Sequence, residues 1–164
     1  MEISDMAMEL WVLSDRQLNS VSEWQTAIDA EAYPLKLTSD IAFDDLRGFF
    51  PAQLHGKPTG FECYHDEVSP LISNNPDVDF GHAWAFALAF RWGSRIEELR
   101  AAWMAGTAYA HAVDGMIFDD QEGKFRNATE ARQVVRDIER DVPNMDRIVD
   151  EVLRNAKLGP YRED

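Results

Sequence analysis

The sequence predicts an α+β fold. We expect a single domain in which a mixed or mainly antiparallel sheet of four to five strands packs with helices, followed by two further helices at the C-terminus. Three observations predict it. Residues 82–92 read HAWAFALAFRW and alternate large and small side chains with period two, which is the signature of a strand. Elsewhere, Ser or Asn followed three residues later by Glu opens runs whose apolar residues recur every three or four positions, which marks helices. Finally, strands and helices are mixed along the chain without a regular βαβ alternation, and that order favours α+β over α/β.

The stretch from His82 to Gly123 reads as strand, helix, strand. Trp84, Phe86, Leu88, Phe90 and Trp92 form one face of the first strand, and Ala83, Ala85, Ala87 and Ala89 form the other. A strand with no polar face is covered on both sides, so it belongs in the middle of the sheet. Ser94 and Glu97 form a capping box for the helix that follows, whose buried stripe is Ile96, Leu99, Trp103, Gly106, Ala110 and Val113. Gly115 stands where a left-handed C-cap residue belongs. Met116 to Phe118 restart a strand, Asp119, Asp120 and Glu122 close it, and Gly123 marks a turn.

Before this unit, Met8 to Leu13 is an apolar strand. Ser20 and Glu23 form another capping box, ahead of a helix stripe of Val21, Trp24, Ala27 and Ile28 that ends before Tyr33-Pro34. Leu35 to Thr38 is a short strand, and Asp44 to Arg47 a helical turn. Residues 50–64 form a hairpin whose turn falls in Gly56-Lys57-Pro58-Thr59-Gly60. Val68 to Gly81, with two prolines and Asn74-Asn75, reads as mostly loop. After the central unit, Asn127 and Glu130 form a third capping box, before a helix stripe of Ala131, Val134, Val135 and Ile138 that Pro143 stops. A last helix carries Met145, Ile148, Val149, Val152 and Leu153 and ends near Gly159. Residues 1–7 and 160–164 are expected to be loose. Two early helices on one face of the sheet is the first layout to draw, and a ferredoxin-like arrangement is compatible with the order.

Length and composition narrow the function. At 164 residues and 45% hydrophobic, with five Trp and nine Phe, the chain can bury a full core in one domain. Thirty acidic against 16 basic residues give a net charge of −14. That argues against nucleic acid and anionic membrane surfaces as ligands, and favours basic protein partners or cations. Cys63 stands alone, and MEISDMAMELW has neither the basic start nor the apolar run of a signal peptide, so a cytoplasmic protein is expected.

Candidate chemistry is sparse. Asp114, Asp119, Asp120 and Glu122 form an acidic corner that could take a hard cation such as Mg²⁺ or Ca²⁺, although the calcium-loop spacing is missing. Its ordinary reading is a solvated strand end. Cys63 and His65 share a strand face and could serve a metal or a nucleophile. The ordinary reading is a buried thiol beside a strand-end imidazole. Arg132, Arg136 and Arg140, four apart, line one helix face, which is either solvated or a docking face for an acidic group. The glycines form neither a phosphate loop nor a dinucleotide fingerprint, and no cofactor is implied.

Gly56-x3-Gly60-Phe61-Glu62, the aromatic strand Phe86 to Trp92, Ala108-Tyr109-Ala110 leading to Asp114-Gly115, and Phe118-Asp119-Asp120-Gln121-Glu122-Gly123 together resemble small acidic bacterial α+β proteins, among which are immunity proteins of bacterial toxin systems. The resemblance covers about half of the chain and assigns no site residue. It implies a non-catalytic protein that binds a basic partner, in the immunity case a toxin. The alternative is a small enzyme or ligand-binding module with a carboxylate or metal site near Asp119 and Asp120.

Overall fold

The computed structural model describes the backbone of residues 8–158 and the side chains of residues 8–143. The loose ends expected at 1–7 and 160–164 lie outside the described residues. The class is α+β, with seven strands and four helices in the order β1 (Met8–Ser14), α1 (Val21–Ala30), β2 (Leu35–Leu37), β3 (Phe49–Leu54), β4 (Lys57–Asp66), α2 (Val68–Ser73), β5 (Phe86–Trp92), α3 (Ile96–Val113), β6 (Met116–Asp119), β7 (Lys124–Arg126) and α4 (Ala128–Leu158). A single 3₁₀ turn, Phe43–Asp45, lies between β2 and β3. The strands form one sheet in the order β2-β3-β4-β5-β1-β6-β7, and every pairing is antiparallel. The sheet is therefore wider than the four to five strands expected, and its order is not ferredoxin-like.

The aromatic strand is central, as its two apolar faces require: β5 lies between β4 and β1. It is shorter than its alternation suggests. β1 ends at Ser14, the partner of Phe86, so residues before Phe86 have no strand of β1 to pair with. They are tied down instead by Asp15, which accepts from the Ala85 amide and pairs with His82. Trp84 consequently leaves the stripe and packs on the opposite face of the sheet.

Period two along each strand sorts the core into two clusters. Leu10 and Val12 of β1, Leu88, Phe90 and Trp92 of β5, Phe61 and Cys63 of β4, and Phe50, Ala52 and Leu54 of β3 face the helices. At their centre is Trp24 of α1, fully buried, with the rings of Phe43, Phe50, Phe61, Phe90 and Tyr109 all within 6.4 Å of its own. Its indole N–H donates to the Ala105 carbonyl. On the other face, Trp11, Leu13, Ala87, Ala89 and Phe118 are covered by Leu71 and Phe80, with Val68, Ile72, Val78 and Trp84 packed around them. The segment expected to be mostly loop is so after Ser73, but it opens with α2 and acts as a cover.

The helices follow their caps with one exception. Ser20 accepts from the Glu23 amide while Glu23 reaches back to the Asn19 amide. Asn127 and Glu130 make the reciprocal pair of a capping box. Ser94, however, caps nothing: α3 begins at Ile96 after Arg95, and the side chain that closes the turn is Glu98, which accepts from the Gly93 amide. Nor is α3 one-sided. Every residue from Ala101 to Ala110 is buried, because its many alanines admit α1 and α4 on its flanks and the sheet beneath. The left-handed residue at its end is Asp114 (φ 56°), not Gly115. Asp tolerates that conformation. Gly115 is required for a different reason: a Cβ there would stand 2.5 Å from the Leu13 carbonyl oxygen of β1.

Two further expectations are corrected. The β3–β4 turn is the pair His55-Gly56, both at positive φ, as a tight antiparallel hairpin demands. Lys57 to Gly60 already belong to β4, and Pro58 is tolerated because β4 pairs with β5 only from Glu62 onward. At the C-terminus one helix, α4, replaces the two expected, and Pro143 lies inside it. Proline removes one backbone hydrogen bond at a cost of about 3 kcal/mol, but good helix formers continue the pattern on both sides, so the helix resumes. Its N-terminal part is fixed by Ala131 and Val135 in the core and by two forked ion pairs, Arg132–Glu31 and Arg100–Glu139, each with a 2.7 Å contact.

Candidate functional site

The acidic corner is divided by the fold. Asp114 closes α3 while Asp119 ends β6, so they lie at opposite ends of that strand, whose three residue steps alone span about 10 Å at roughly 3.3 Å per residue. Asp119 is 5% exposed and already neutralised: its carboxylate takes Arg126 at 2.7 Å and the Gln121 amide at 3.1 Å. Arg126 also reaches Glu122 and lies over the Trp103 ring, 6.0 Å from its centroid. Glu122 is exposed, and Lys124 and Arg126 hold its carboxyl below the usual range. Asp120 is exposed. Of the four candidate ligands, Asp119 and Glu122 share an arginine on β7, a strand not expected from the sequence. Among the described residues no group of three or more His, Cys, Asp or Glu is placed to hold a metal ion.

Cys63 and His65 do share the helix-facing side of β4, but their chemistry points apart. Cys63 is fully buried, and burial pushes its thiol well above the ordinary value, which suppresses the thiolate. The His65 ring is committed elsewhere. Its Nε2 lies 2.8 Å from the Phe43 carbonyl, which can only accept, so Nε2 carries the proton and Nδ1 faces the Gln17 side-chain amide at 3.4 Å. His65 thereby pins the 3₁₀ turn to β4. A cavity of about 260 Å³ beside it is lined by Gln17, Asp44, His65, Asp66 and Phe86. Asp66 there is partly spent on the Trp11 indole N–H at 3.0 Å.

The arginine face of α4 is likewise used internally. Arg132 forks onto Glu31, Arg136 onto Gln133, and Arg140 meets Asp137 and Asp141.

What the fold does leave open is the outer face of β3, β4 and β5 beyond the reach of the α2 cover. Phe49 and Phe50 are adjacent, so β3 turns them to opposite faces: Phe50 is buried, while Phe49 is 63% exposed, the most exposed large hydrophobic side chain among the described residues. The Phe49 ring lies over Gly60 of β4, where any Cβ would collide with it and would stand 2.5 Å from the Phe50 carbonyl oxygen. Next to Phe49, pairing sets Glu62, Arg91 and Glu9 in a row across three strands. Tyr64 donates to Glu9 at 3.1 Å, and its phenol is pushed up to about 12 by burial and by the Glu9 charge.

Two depressions flank Phe49. One, about 240 Å³, is lined by Phe49, Phe61, Glu62, Arg91, Trp92 and Glu98. The other, about 650 Å³, runs past Pro51, Gln53 and Pro58 to Arg95, Glu97 and Glu98. Trp92 is 4% exposed and its indole N–H has no hydrogen-bond partner, a defect worth about 1–3 kcal/mol in a buried donor. The sequence signals that could have found this site are the adjacent pair Phe49-Phe50, which a strand turns to opposite faces, and Gly60, which reads as part of a turn until the register is known.

No protein-family model, curated protein or solved structure matches this chain. Among the described residues, no helix is long and apolar enough to cross a membrane.

Proposed function

We propose that this chain is an acidic binding protein that docks on a basic protein, using the open face around Phe49. The observation that supports this reading is a solvent-exposed aromatic held over a glycine, on a chain of net charge −14, with Glu62, Glu97 and Glu98 standing among Lys57, Arg91 and Arg95 around it. An exposed aromatic within a charged rim is the composition of an interface anchor, and the summed charge of the chain steers a basic partner toward it. A basic toxin neutralised by an immunity protein is a partner of this kind. Around Phe49 itself the carboxylates are matched by Lys57, Arg91 and Arg95, so the attraction for a basic partner comes from the charge of the chain as a whole.

The test is affinity capture from a lysate of the source organism, followed by titration of the purified captured protein. We expect a basic partner whose Kd weakens at least about tenfold between low salt and roughly 0.5 M, where surface charges are screened, and again by about tenfold in Phe49→Ala. A Kd indifferent to both salt and Phe49 overturns the reading.

A further inference from the structure

The connection between β4 and β5 is longer than the topology needs. The two strands are antiparallel neighbours, and Asp66 at the end of one pairs with Ala87 near the start of the other. A turn of a few residues joins such strands elsewhere. Here residues 67–85 leave the sheet instead, cross its outer face to the Phe118 and Phe125 rings of β6 and β7, and return to β5. We propose that this segment is a strap that opens as a unit, with the Asp15 carboxylate as its clasp, and uncovers the apolar outer face while the helix-covered core stays closed. This goes beyond the docking reading and does not depend on it.

Hydrogen bonding sets the strap apart. The Asn74, Asn75 and Val78 amides and the Trp84 indole N–H all donate to carbonyls of the same segment. At its root the Glu67 amide donates to Asp66. Among the described residues, every other hydrogen bond from the strap to the rest of the chain runs to Asp15. One oxygen of that carboxylate takes the Ala85 amide at 3.2 Å, and the other lies 2.9 Å from the His82 ring. No strap residue is paired in the sheet, since β5 begins at Phe86. What otherwise holds the strap down is apolar contact, chiefly Leu71, Phe80 and Trp84 against Trp11, Ala89 and Phe118.

Lifting the strap therefore breaks those contacts and the clasp, and leaves both the sheet ladder and the strap's own bonds intact. A segment closed in this way opens at a lower free energy than the whole fold. The Asp15 and His82 side chains are 58% and 50% exposed, and an ion pair so open to water holds only lightly. The face beneath continues into the open face that carries Phe49: Tyr64 packs at the margin of the covered cluster and donates to Glu9 in the row beyond it. An open strap joins the two into one surface.

The experiment is site-resolved thiol modification of the full chain. Ala89→Cys places a thiol under the strap at a position with no exposure, and the native Cys63, equally buried on the helix-covered face, is the reference in the same molecule. The probe is iodoacetamide under native conditions, read by peptide mass spectrometry. We expect the introduced thiol to react at least about tenfold faster than Cys63. Asp15→Ala removes both arms of the clasp, and should speed the introduced thiol at least about fivefold further while leaving Cys63 unchanged. Asp15→Asn keeps an acceptor for the Ala85 amide and should speed it less.

A difference of less than about tenfold between the two thiols overturns the strap, because both faces would then open together. An introduced thiol that reacts fast but ignores Asp15→Ala overturns the clasp. A urea series on the Ala89→Cys chain with Asp15 intact decides the matter without any change at Asp15. Low urea should leave the introduced thiol's rate nearly flat while that of Cys63 climbs steeply, because a local opening exposes little surface. Parallel slopes overturn the proposal.

Discussion

The two faces of the sheet are built on opposite plans. The helix-covered face is filled by large rings converging on Trp24 of α1, which meets rings from the 3₁₀ turn, β3, β4, β5 and α3. The outer face is lined centrally by Ala87 and Ala89 of β5 and by Trp11 of β1, which stands between them and Phe118 of β6, and is covered by the single segment that carries α2 and Phe80. Farther along it is not covered at all, and Phe49 stands in the open. The difference separates two tasks. Cohesion is concentrated where six elements share one indole, so the outer face can leave a side chain exposed without loosening the fold.

The largest effect that should test this comparison is Trp24→Ala. Removing a fully buried indole at the hub leaves a cavity and frees the Ala105 carbonyl, and should cost about 3–5 kcal/mol in urea unfolding. Trp84→Ala, on the outer cover and half-buried, should cost only about 1–2 kcal/mol. If the two costs were equal or reversed, cohesion would not be concentrated on the helix face.

Next in size is a pH effect on the same face. Tyr109 is 1% exposed, and burial pushes its phenol up to about 12. An unfolded tyrosine ionises near 10. Below pH 10 both states are protonated and the full stability is present. Between 10 and 12 only the unfolded state releases the proton, so stability falls as pH rises. The loss reaches at most about 2.7 kcal/mol for two pH units. Urea titrations at pH 9 and pH 12 should show Tyr109→Phe losing less stability than the parent over that interval. Equal losses would mean that the Tyr109 hydroxyl is not held in a low-dielectric site.

A third test concerns the join between the faces. Gly115→Ala drives a methyl into the Leu13 carbonyl where α3 hands over to β6, with backbone that cannot yield as a flexible side chain would. A destabilisation of about 1–3 kcal/mol is expected. Gly123→Ala is strained for a different reason, its positive φ, and meets no neighbour within 4 Å. The two variants would separate crowding from backbone strain.

The helix-covered face was the more legible of the two in the sequence. Period two from Phe86 to Trp92, and the capping boxes at Ser20 and Asn127, report local geometry that the fold preserves. Legibility failed where long-range pairing decided the outcome. β7 is three residues with one apolar side chain, and it is a strand only because β6 offers it an edge. The alternation through Trp84 broke because β1 stops at Ser14. Asp114, Asp119, Asp120 and Glu122 suggested a cation site from proximity in sequence, whereas Arg126, brought over by the unforeseen hairpin, supplies the positive charge at Asp119 and Glu122. Phe49 could be assigned to a face by alternation from Phe50, but its exposure depends on where the α2 cover ends. Nothing local to β3 records that.

The smallest effect on stability, and the sharpest on the comparison, is expected at Phe49. Truncating a side chain that is 63% exposed removes little buried area, so Phe49→Ala should change unfolding free energy by no more than about 0.5 kcal/mol. Its one intramolecular support is the slot over Gly60. If that contact mattered to the fold, Phe49→Ala would approach the cost of a core truncation, and the ring would belong to the cohesive half of the molecule. A near-silent Phe49→Ala that weakens association with a basic protein about tenfold would place it in the other half. In that outcome a ring costs the fold almost nothing to remove, and the slot at Gly60 serves to present it.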